Sequence, residues 1–326
     1  MHRSVLGALV LLACSRRAPP AAPRAPPPAA VTTPAAPAPV PAPAPGATPR
    51  GDPWEALRAV PEDPPAAHLM SIQDQLHGLH FLTSDEAHLD AFEPTLRGVG
   101  GVYVGVGAEQ AYLLVAWARA EGALLLDYDP RVVAMHGLHR VFLLESETPE
   151  AYLSHWTEEG AEAARALLRG ASPDARSARL AVGLYDRARR RVRHRYERLG
   201  RDLTAPWFLT DRAQYAHLRG LLRAGRVRAL CADLRAPEGA IGALGEALRR
   251  GGLRVGALYL SNAEQYWRYD PPFRRNIRGL PSDRRSVVLR TLAARPDYRY
   301  HTQPLGDFQD ALGRATVRDV YQVAPR

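Results

Sequence analysis

The stretch Gly100-Gly-Val-Tyr-Val-Gly-Val-Gly107 is a short apolar run that ends in glycines. Such a run is typical of a buried strand whose carboxyl end makes a tight turn. Helical spacing of apolar residues follows over 108–120, and a second apolar run, Ala123–Leu126, is closed by Asp127. Strand, helix and strand in this order predict a β-α-β unit with a right-handed crossover, and therefore two parallel strands.

The alternation of apolar runs and helical segments continues toward the carboxyl end. A helix is predicted over 237–250, because a proline stands at its start and two glycines follow its end. Residues 131–224 show mostly helical patterns. We therefore predict an α/β fold with a doubly wound, mostly parallel sheet and a helical insertion at about 131–224, between the second and third strands. The later strands are predicted at Val227–Ala232, Leu253–Leu260, Ser286–Leu292 and, at the end of the chain, Thr316–Val323.

The amino terminus has the pattern of an export signal. A positively charged start precedes the apolar run Val5–Ala13, which is far shorter than the roughly 20 residues that span a bilayer. The end of this run, Leu11-Leu-Ala-Cys14, resembles the lipobox of bacterial lipoproteins. The resemblance implies a signal peptide over 1–13, cleavage before Cys14 and acylation of its thiol. Ser15 after the cysteine favours the outer membrane over the inner membrane.

A low-complexity segment follows the cysteine. Of the chain's 29 prolines, 13 lie between residues 18 and 50, mixed with alanine and without any acidic residue. Such a composition buries no core and samples extended conformations. We therefore expect residues 14–50 to be a disordered tether between the membrane and a single α/β domain over 51–326.

Arginine supplies all of the positive side-chain charge. The 43 basic residues include no lysine, which excludes a lysine Schiff base or a lysine general base. Five arginines and no acid lie in residues 1–50, so residues 51–326 carry 38 arginines against 34 acidic residues. A domain so balanced lacks the concentrated basic face that nucleic-acid binding requires. We expect no nucleic-acid partner.

Ligands of open α/β sheets bind beyond the carboxyl ends of the strands. The polar residues that matter most are therefore those of the glycine loop and those that follow each predicted strand. These candidate ligand-binding residues are Tyr103, Gly105, Gly107, Glu109, Gln110, Asp127, Asp129, Asp233, Ser261, Asn262, Glu264, Gln265 and Tyr266.

Two Glu-Gln pairs follow the first and fourth strands, at Glu109-Gln110 and Glu264-Gln265. These strands are neighbours in common doubly wound orders, and in that case the pairs would face each other across one crevice. Glu109 and Glu264 would then be candidates for acid–base catalysis. The alternative is that each pair merely starts a helix, where the helix dipole stabilises a carboxylate.

Side chains that commonly bind metals form no recognised ligand pattern. The pairs His77/His80 and His136/His139 have helical spacing, but no acid or cysteine completes a set of ligands around them. We therefore predict no metal site.

The glycine loop matches nucleotide-binding patterns only in part. The dinucleotide fingerprint needs a third glycine where this chain has Gln110. Class I methyltransferases that use S-adenosylmethionine often have an acid where this chain has Tyr103 and a glycine where it has Glu109. In contrast, Asp127 and Asp233 stand where an acid contacts the ribose hydroxyls and the adenine amine. S-adenosylmethionine is therefore the candidate cofactor, with two features for it and two against.

Longer stretches resemble an uncharacterised bacterial protein family. The hallmark segments are Tyr103-Val-Gly-Val-Gly-Ala-Glu-Gln110 and Tyr259-Leu-Ser-Asn-Ala-Glu-Gln-Tyr266, and Phe273–Pro281 continues the match. The resemblance covers about residues 69–295. It implies a methyltransferase-like Rossmann fold and no established substrate.

Two functions are compatible with these features. The first is an envelope-anchored lipoprotein whose degenerate methyltransferase-like domain binds an unknown small molecule or envelope protein. The alternative is an active S-adenosylmethionine-dependent methyltransferase of unknown substrate. The lipobox at Cys14 favours the first, because S-adenosylmethionine is a cytoplasmic metabolite with no expected supply outside the inner membrane.

Overall fold

A computed structural model describes residues 52–66, 82–294 and 297–324. These residues all fall within one compact unit that spans residues 48–326. The predictions of a signal peptide, of acylation at Cys14 and of a tether lie outside the described residues, as do His77 and His80.

A six-stranded sheet organises the described residues. Its strand order is β3-β2-β1-β4-β5-β6, and every neighbouring pair is parallel except β5 and β6. This arrangement confirms the predicted doubly wound, mostly parallel α/β fold, which is Rossmann-like. The strands are β1 Val102–Val106, β2 Gly122–Asp127, β3 Val227–Cys231, β4 Val255–Tyr259, β5 Val287–Ala294 and β6 Asp297–Pro304.

The central strands are apolar on both faces because helices cover both faces of the sheet. Val104 and Leu124 point into one hydrophobic cluster, whereas Tyr103 and Leu125 point into the other. Successive side chains of a strand alternate between faces, so a strand buried on both sides needs an unbroken apolar run. The run at 102–106 has this character, and β1 accordingly lies in the middle of the sheet.

Two helical layers enclose the sheet. The layer over one face contains α2 to α8, and the layer over the other contains α1, α9, α10 and α11. The helices are α1 Pro53–Arg58, α2 Glu93–Leu96, α3 Gln110–Ala118, α4 Pro130–Glu145, α5 Pro149–Ser154, α6 Ala161–Ala171, α7 Ala175–Asp202, α8 Arg212–Arg223, α9 Ala240–Gly251, α10 Pro271–Arg278 and α11 Leu305–Leu312. Short 3-10 helices lie at Leu89–Phe92, Ala263–Tyr266 and Val320–Gln322.

The predicted helical insertion is confirmed, since α4 to α8 lie between β2 and β3. Its longest member, α7, begins where the side chain of Asp174 accepts hydrogen bonds from the backbone N–H groups of Arg176 and Ser177. One side of α7 is buried through residues spaced three or four apart, including Tyr185, Val192 and Tyr196 on the same stripe. The arginine-rich run at 187–201 therefore mostly faces solvent, with Arg189 and Arg195 as buried exceptions.

The last strand is not where the sequence predicted it. Residues 316–323 contain a 3-10 helix instead of a strand, and the sixth strand is β6, which pairs antiparallel with β5 along its whole length. Val317 and Val320 explain the error. They are apolar because they pack against the helical layer, and their spacing of three residues is that of a helix. β6 was missed because this edge strand is largely polar, and only its pairing with β5 reveals it.

A close approach between β1 and β4 determines how the strand ends align. A Cβ atom at Gly256 would overlap the carbonyl oxygen of Gly100, so only glycine fits at this point of β4. The register between the two strands shifts beside this contact, between Val102 and Tyr103. Beyond it, Gly105 lies opposite Tyr259, which brings the two carboxyl ends to the same edge of the sheet.

Within the described ranges, we find no helix with the length and apolar character needed to cross a membrane.

Candidate functional site

A cavity of about 170 Å³ lies at the carboxyl ends of four neighbouring strands. Residues that follow β1, β2, β3 and β4 form much of its wall, which is the position expected for a ligand site in this fold. β1 and β4 are adjacent, as predicted. Seven of the predicted site residues line this cavity, and their role in ligand binding stays a prediction. They are Gly107, Gln110, Asp127, Asp233, Ser261, Asn262 and Tyr266.

The glycine loop consists of Gly105 near the end of β1 and Gly107 just after it, and the chain's own side chains fill the space beside both glycines. Gly107 has a φ of +99°, a conformation that favours glycine. The side-chain amide of Gln110 lies against Gly107 so closely that a Cβ atom there would overlap it. Tyr103 does the same at Gly105, where a Cβ atom would overlap the tyrosine hydroxyl. Tyr103 and Gly105 do not line the cavity, and burial raises the pKa of Tyr103 well above its ordinary value.

Asp127 ends β2 and is a buried carboxylate at the cavity wall. Burial raises its pKa to about 7, partly opposed by hydrogen bonds from backbone N–H groups, of which the N–H of Asp129 is 2.9 Å away. Asp129 itself does not line the cavity. Its side chain accepts from the N–H of Arg131 and forms an ion pair with that residue at 2.7 Å, so it caps α4.

The two Glu-Gln pairs do not face each other across the cavity. Glu109 is buried beneath the loop, where it forms an ion pair of 2.9 Å with Arg195 of α7 and accepts from the N–H of Ser84. Glu264 is equally buried, with Arg290 of β5 at 2.6 Å and the hydroxyl of Tyr269 at 2.6 Å. Neither carboxylate lines the cavity, so the structure does not support the predicted acid–base partnership.

Gln265 also lies outside the cavity wall. Its Oε1 accepts from the N–H of Ala293 at 2.7 Å, and its Nε2 donates to the hydroxyl of Tyr321 at 2.9 Å. These bonds fasten the 3-10 helix after β4 to β5 and to the carboxyl-terminal segment. Both predicted Glu-Gln pairs are therefore similar in sequence but different in role, because only Gln110 reaches the cavity.

A cavity residue that the sequence predictions missed is Glu86, which lies in a segment without regular structure. It is 2% exposed, and the donors that its carboxylate has among the described residues are all hydroxyl groups. Glu86 precedes every strand, whereas the predicted site residues all lie in strands or follow them. The donors are Ser84 at 2.8 Å, Ser261 at 2.9 Å, Thr291 at 2.7 Å and Tyr259.

Ser261 holds a strained position beside Glu86. It is one of two non-glycine residues with positive φ in the part of the chain that is described, at +49°. A left-handed backbone costs free energy for such a residue and persists where the surroundings impose it. Two hydrogen bonds impose this backbone conformation on Ser261. Its Oγ donates to Glu86, and its carbonyl oxygen accepts from the N–H of Thr291 at 3.0 Å.

Of the two described histidines from the pairs that the sequence singled out, His136 contacts the glycine loop and His139 packs in the core beside it. His136 Nε2 lies 2.9 Å from the carbonyl oxygen of Gly107, and its Nδ1 lies 2.9 Å from the hydroxyl of Tyr112. Burial lowers the pKa of His136 to about 4, so the ring is neutral at pH 7. His139 Nδ1 lies 2.7 Å from the hydroxyl of Tyr152. In the described ranges, no group of three or more His, Cys, Asp or Glu side chains is arranged to hold a metal.

Residues 81–326 match the sequence profile of a family described as "Domain of unknown function (DUF7790)". The chain belongs to this family. The match contains all six strands, the helical insertion and every predicted ligand-binding residue. No curated protein matches the chain in sequence.

The cavity of the DUF7790 domain is acidic and aromatic. Carboxylates line it, whereas the arginine in its wall, Arg235, forms an ion pair of 2.7 Å with Asp270. Such a wall repels phosphates and favours a neutral or positively charged ligand with hydrogen-bond donors. The acids are Asp85, Glu86, Asp127 and Asp233, and the aromatic residues are Tyr128, Tyr266, Trp267 and Tyr298.

Proposed function

We propose that this protein is an envelope lipoprotein whose domain binds a small organic ligand in the cavity and does not transfer a methyl group. The observation that carries the proposal is the filled glycine loop. Glycines in nucleotide loops leave room for a ligand to approach the backbone. Here Gln110 occupies the room at Gly107, and Tyr103 occupies the room at Gly105. The cavity remains available beside the loop.

The position of Asp127 favours the alternative function, an active S-adenosylmethionine-dependent methyltransferase. Asp127 and Asp233 line the cavity at the ends of β2 and β3, where acids contact ribose hydroxyls and the adenine amine in a methyltransferase-like fold. Glu109 is no obstacle to such a ligand, because its charge is compensated by Arg195. The two functions therefore differ in whether S-adenosylmethionine can approach the glycine loop.

Titration calorimetry with S-adenosylmethionine separates the two functions. We expect no saturable heat with the full-length chain purified in detergent, because Gln110 covers the loop. The change Gln110→Gly should increase affinity, because it empties the space above Gly107. Gln214→Gly, on α8 and outside the cavity wall, is the matched control and should not create binding. Saturable binding by the wild type together with methyl transfer to any acceptor would contradict the proposal.

The anchor makes a separate prediction. If Cys14 carries a lipid, the wild-type protein should sediment with membranes, and Cys14→Ser should move most of it to the soluble fraction. Cys231→Ser is the matched control, because it removes the chain's other cysteine, which is buried as a free thiol. A Cys14→Ser variant that still sediments with membranes would refute the lipid anchor and leave ligand binding unaffected.

A further inference from the structure

The buried glutamates of this domain fall into two classes. Glu109 and Glu264 each have an arginine within 3 Å, Arg195 and Arg290 respectively. Glu86 is buried to the same degree, yet no ion pair compensates its charge within the described ranges. A buried carboxylate without a counter-cation is unfavourable, so its presence needs an explanation.

Asp127 is a second buried carboxylate of this kind. Its hydrogen bonds come from backbone N–H groups, and the charged group that acts on it electrostatically is another carboxylate, Asp129, which raises its pKa further. Arg131 is engaged by Asp129. Glu86 and Asp127 therefore share two properties, since both lack a cationic partner among the described side chains and both line the same cavity.

Gln110 adds a third acceptor to this cavity. It is 3% exposed, and its Oε1 has no hydrogen-bond partner in the described part of the chain. An unpaired buried acceptor is as unfavourable as an unpaired donor. Two carboxylates without a cationic partner and one amide oxygen without a donor thus belong to residues of one cavity wall, a set that suits a ligand with donors and positive charge.

The aromatic residues of the cavity wall indicate what the rest of the ligand is like. Tyr266 and Tyr298 line the cavity, and aromatic faces bind organic cations better than they bind hydrated metal ions. A carboxylate that accepts from several hydroxyls keeps lone pairs for one further donor, such as an ammonium N–H. The combination suits a compact ammonium group attached to an apolar body.

We propose that the ligand of this cavity is a small organic amine, bound as its ammonium ion by Glu86 and Asp127, with Gln110 Oε1 as a third acceptor. The proposal rests on the proposed ligand-binding function and specifies its ligand class. The proposed amine differs from phosphate-bearing nucleotides, which the acidic wall repels. It also differs from quaternary ammonium ions, which have no N–H to donate to the three acceptors.

Matched pairs of probes test the charge. Phenethylamine and 2-phenylethanol have the same shape, as do putrescine and 1,4-butanediol, and each pair differs in the ammonium group. In calorimetric titrations of the full-length chain in detergent at pH 8, we expect at least one amine to bind saturably. We expect its alcohol partner, and the N,N,N-trimethyl derivative of phenethylamine, to bind at least tenfold more weakly.

Substitutions test the residues. Glu86→Gln and Asp127→Asn keep the shape of each side chain and remove its charge, and each should weaken amine binding at least tenfold. Glu246→Gln, on the exposed side of α9, is the control and should leave affinity unchanged. Near-ultraviolet circular dichroism checks that each variant is folded, and if Glu86→Gln does not fold, Asp127→Asn and the probe pairs still decide the matter.

Two outcomes would overturn the amine assignment. One is that no amine binds, and the other is that amines bind no better than their alcohol partners. Preferential binding of the alcohols would overturn the assignment and leave the ligand-binding function in place. Methyl transfer with S-adenosylmethionine would instead overturn the proposed function itself, so the two failures are distinguishable.

Discussion

Replacing Arg195 with methionine is expected to lower the free energy of unfolding by about 3–5 kcal/mol. The Glu109 carboxylate would stay buried without the cation that now lies 2.9 Å away, and its side chain has no solvent exposure. Burial already raises the pKa of Glu109, and Arg195 opposes that shift. Urea denaturation at pH 7 measures the loss, which should appear as a lower midpoint with an unchanged slope.

Two further variants establish that the pair is responsible. Arg193→Met, two residues earlier on the same helix, removes an arginine whose ion pair with Glu197 is largely exposed, and the midpoint should not change measurably. The double variant Glu109→Gln with Arg195→Met should recover most of the loss, because neither charge is then left buried. A loss in Arg195→Met no larger than that in Arg193→Met would show that the pair is energetically unimportant.

The change Asp127→Asn is expected to stabilise the domain at high pH by up to about 4 kcal/mol, since each pKa unit corresponds to about 1.4 kcal/mol. The folded-state pKa of about 7 lies above the unfolded value near 3.8, so the folded state binds more protons between these values. Wild-type stability from this group is therefore greatest below pH 4 and is lost as pH rises to 7. Asparagine removes this loss, so the variant should match the wild type near pH 4 and exceed it at pH 8.

Denaturation profiles of both proteins between pH 4 and 8 check this expectation. Asp233→Asn is the control, because Asp233 lines the same cavity but is exposed, and this variant should show no comparable gain in stability at pH 8. Parallel profiles for Asp127→Asn and the wild type would show that Asp127 is not the group responsible. Addition of a bound amine should reduce the difference at pH 8, since the ammonium ion compensates the carboxylate.

Much of the fold could be predicted because it depends on local patterns. Two unbroken apolar runs, at 102–106 and 123–126, predict buried strands from their own composition. The helix between them predicts a crossover that makes the two strands parallel. The sixth strand shows the limit of this reasoning. Its residues are mostly polar, and their strand conformation depends on pairing with β5, which no local pattern records.

The candidate site could be predicted only in outline. Asp127, Asp233 and Asn262 were found because the carboxyl end of a strand is a position that sequence order reveals. Glu109 and Glu264 were predicted at the same crevice for the same reason. They lie outside it because each is buried in an ion pair with an arginine from a distant part of the chain.

The amino-acid sequence alone determined the α/β fold, the parallel arrangement of its central strands and the edge of the sheet at which the cavity lies. These follow from side-chain periodicity and from the handedness of the crossover, which act over about 30 residues. The charge of the site depends on partners far apart in the chain. Glu109 meets Arg195 across 86 positions, and Glu86 meets Thr291 across 205. Which carboxylates are compensated, and which remain available to a ligand, therefore depends on packing between distant segments.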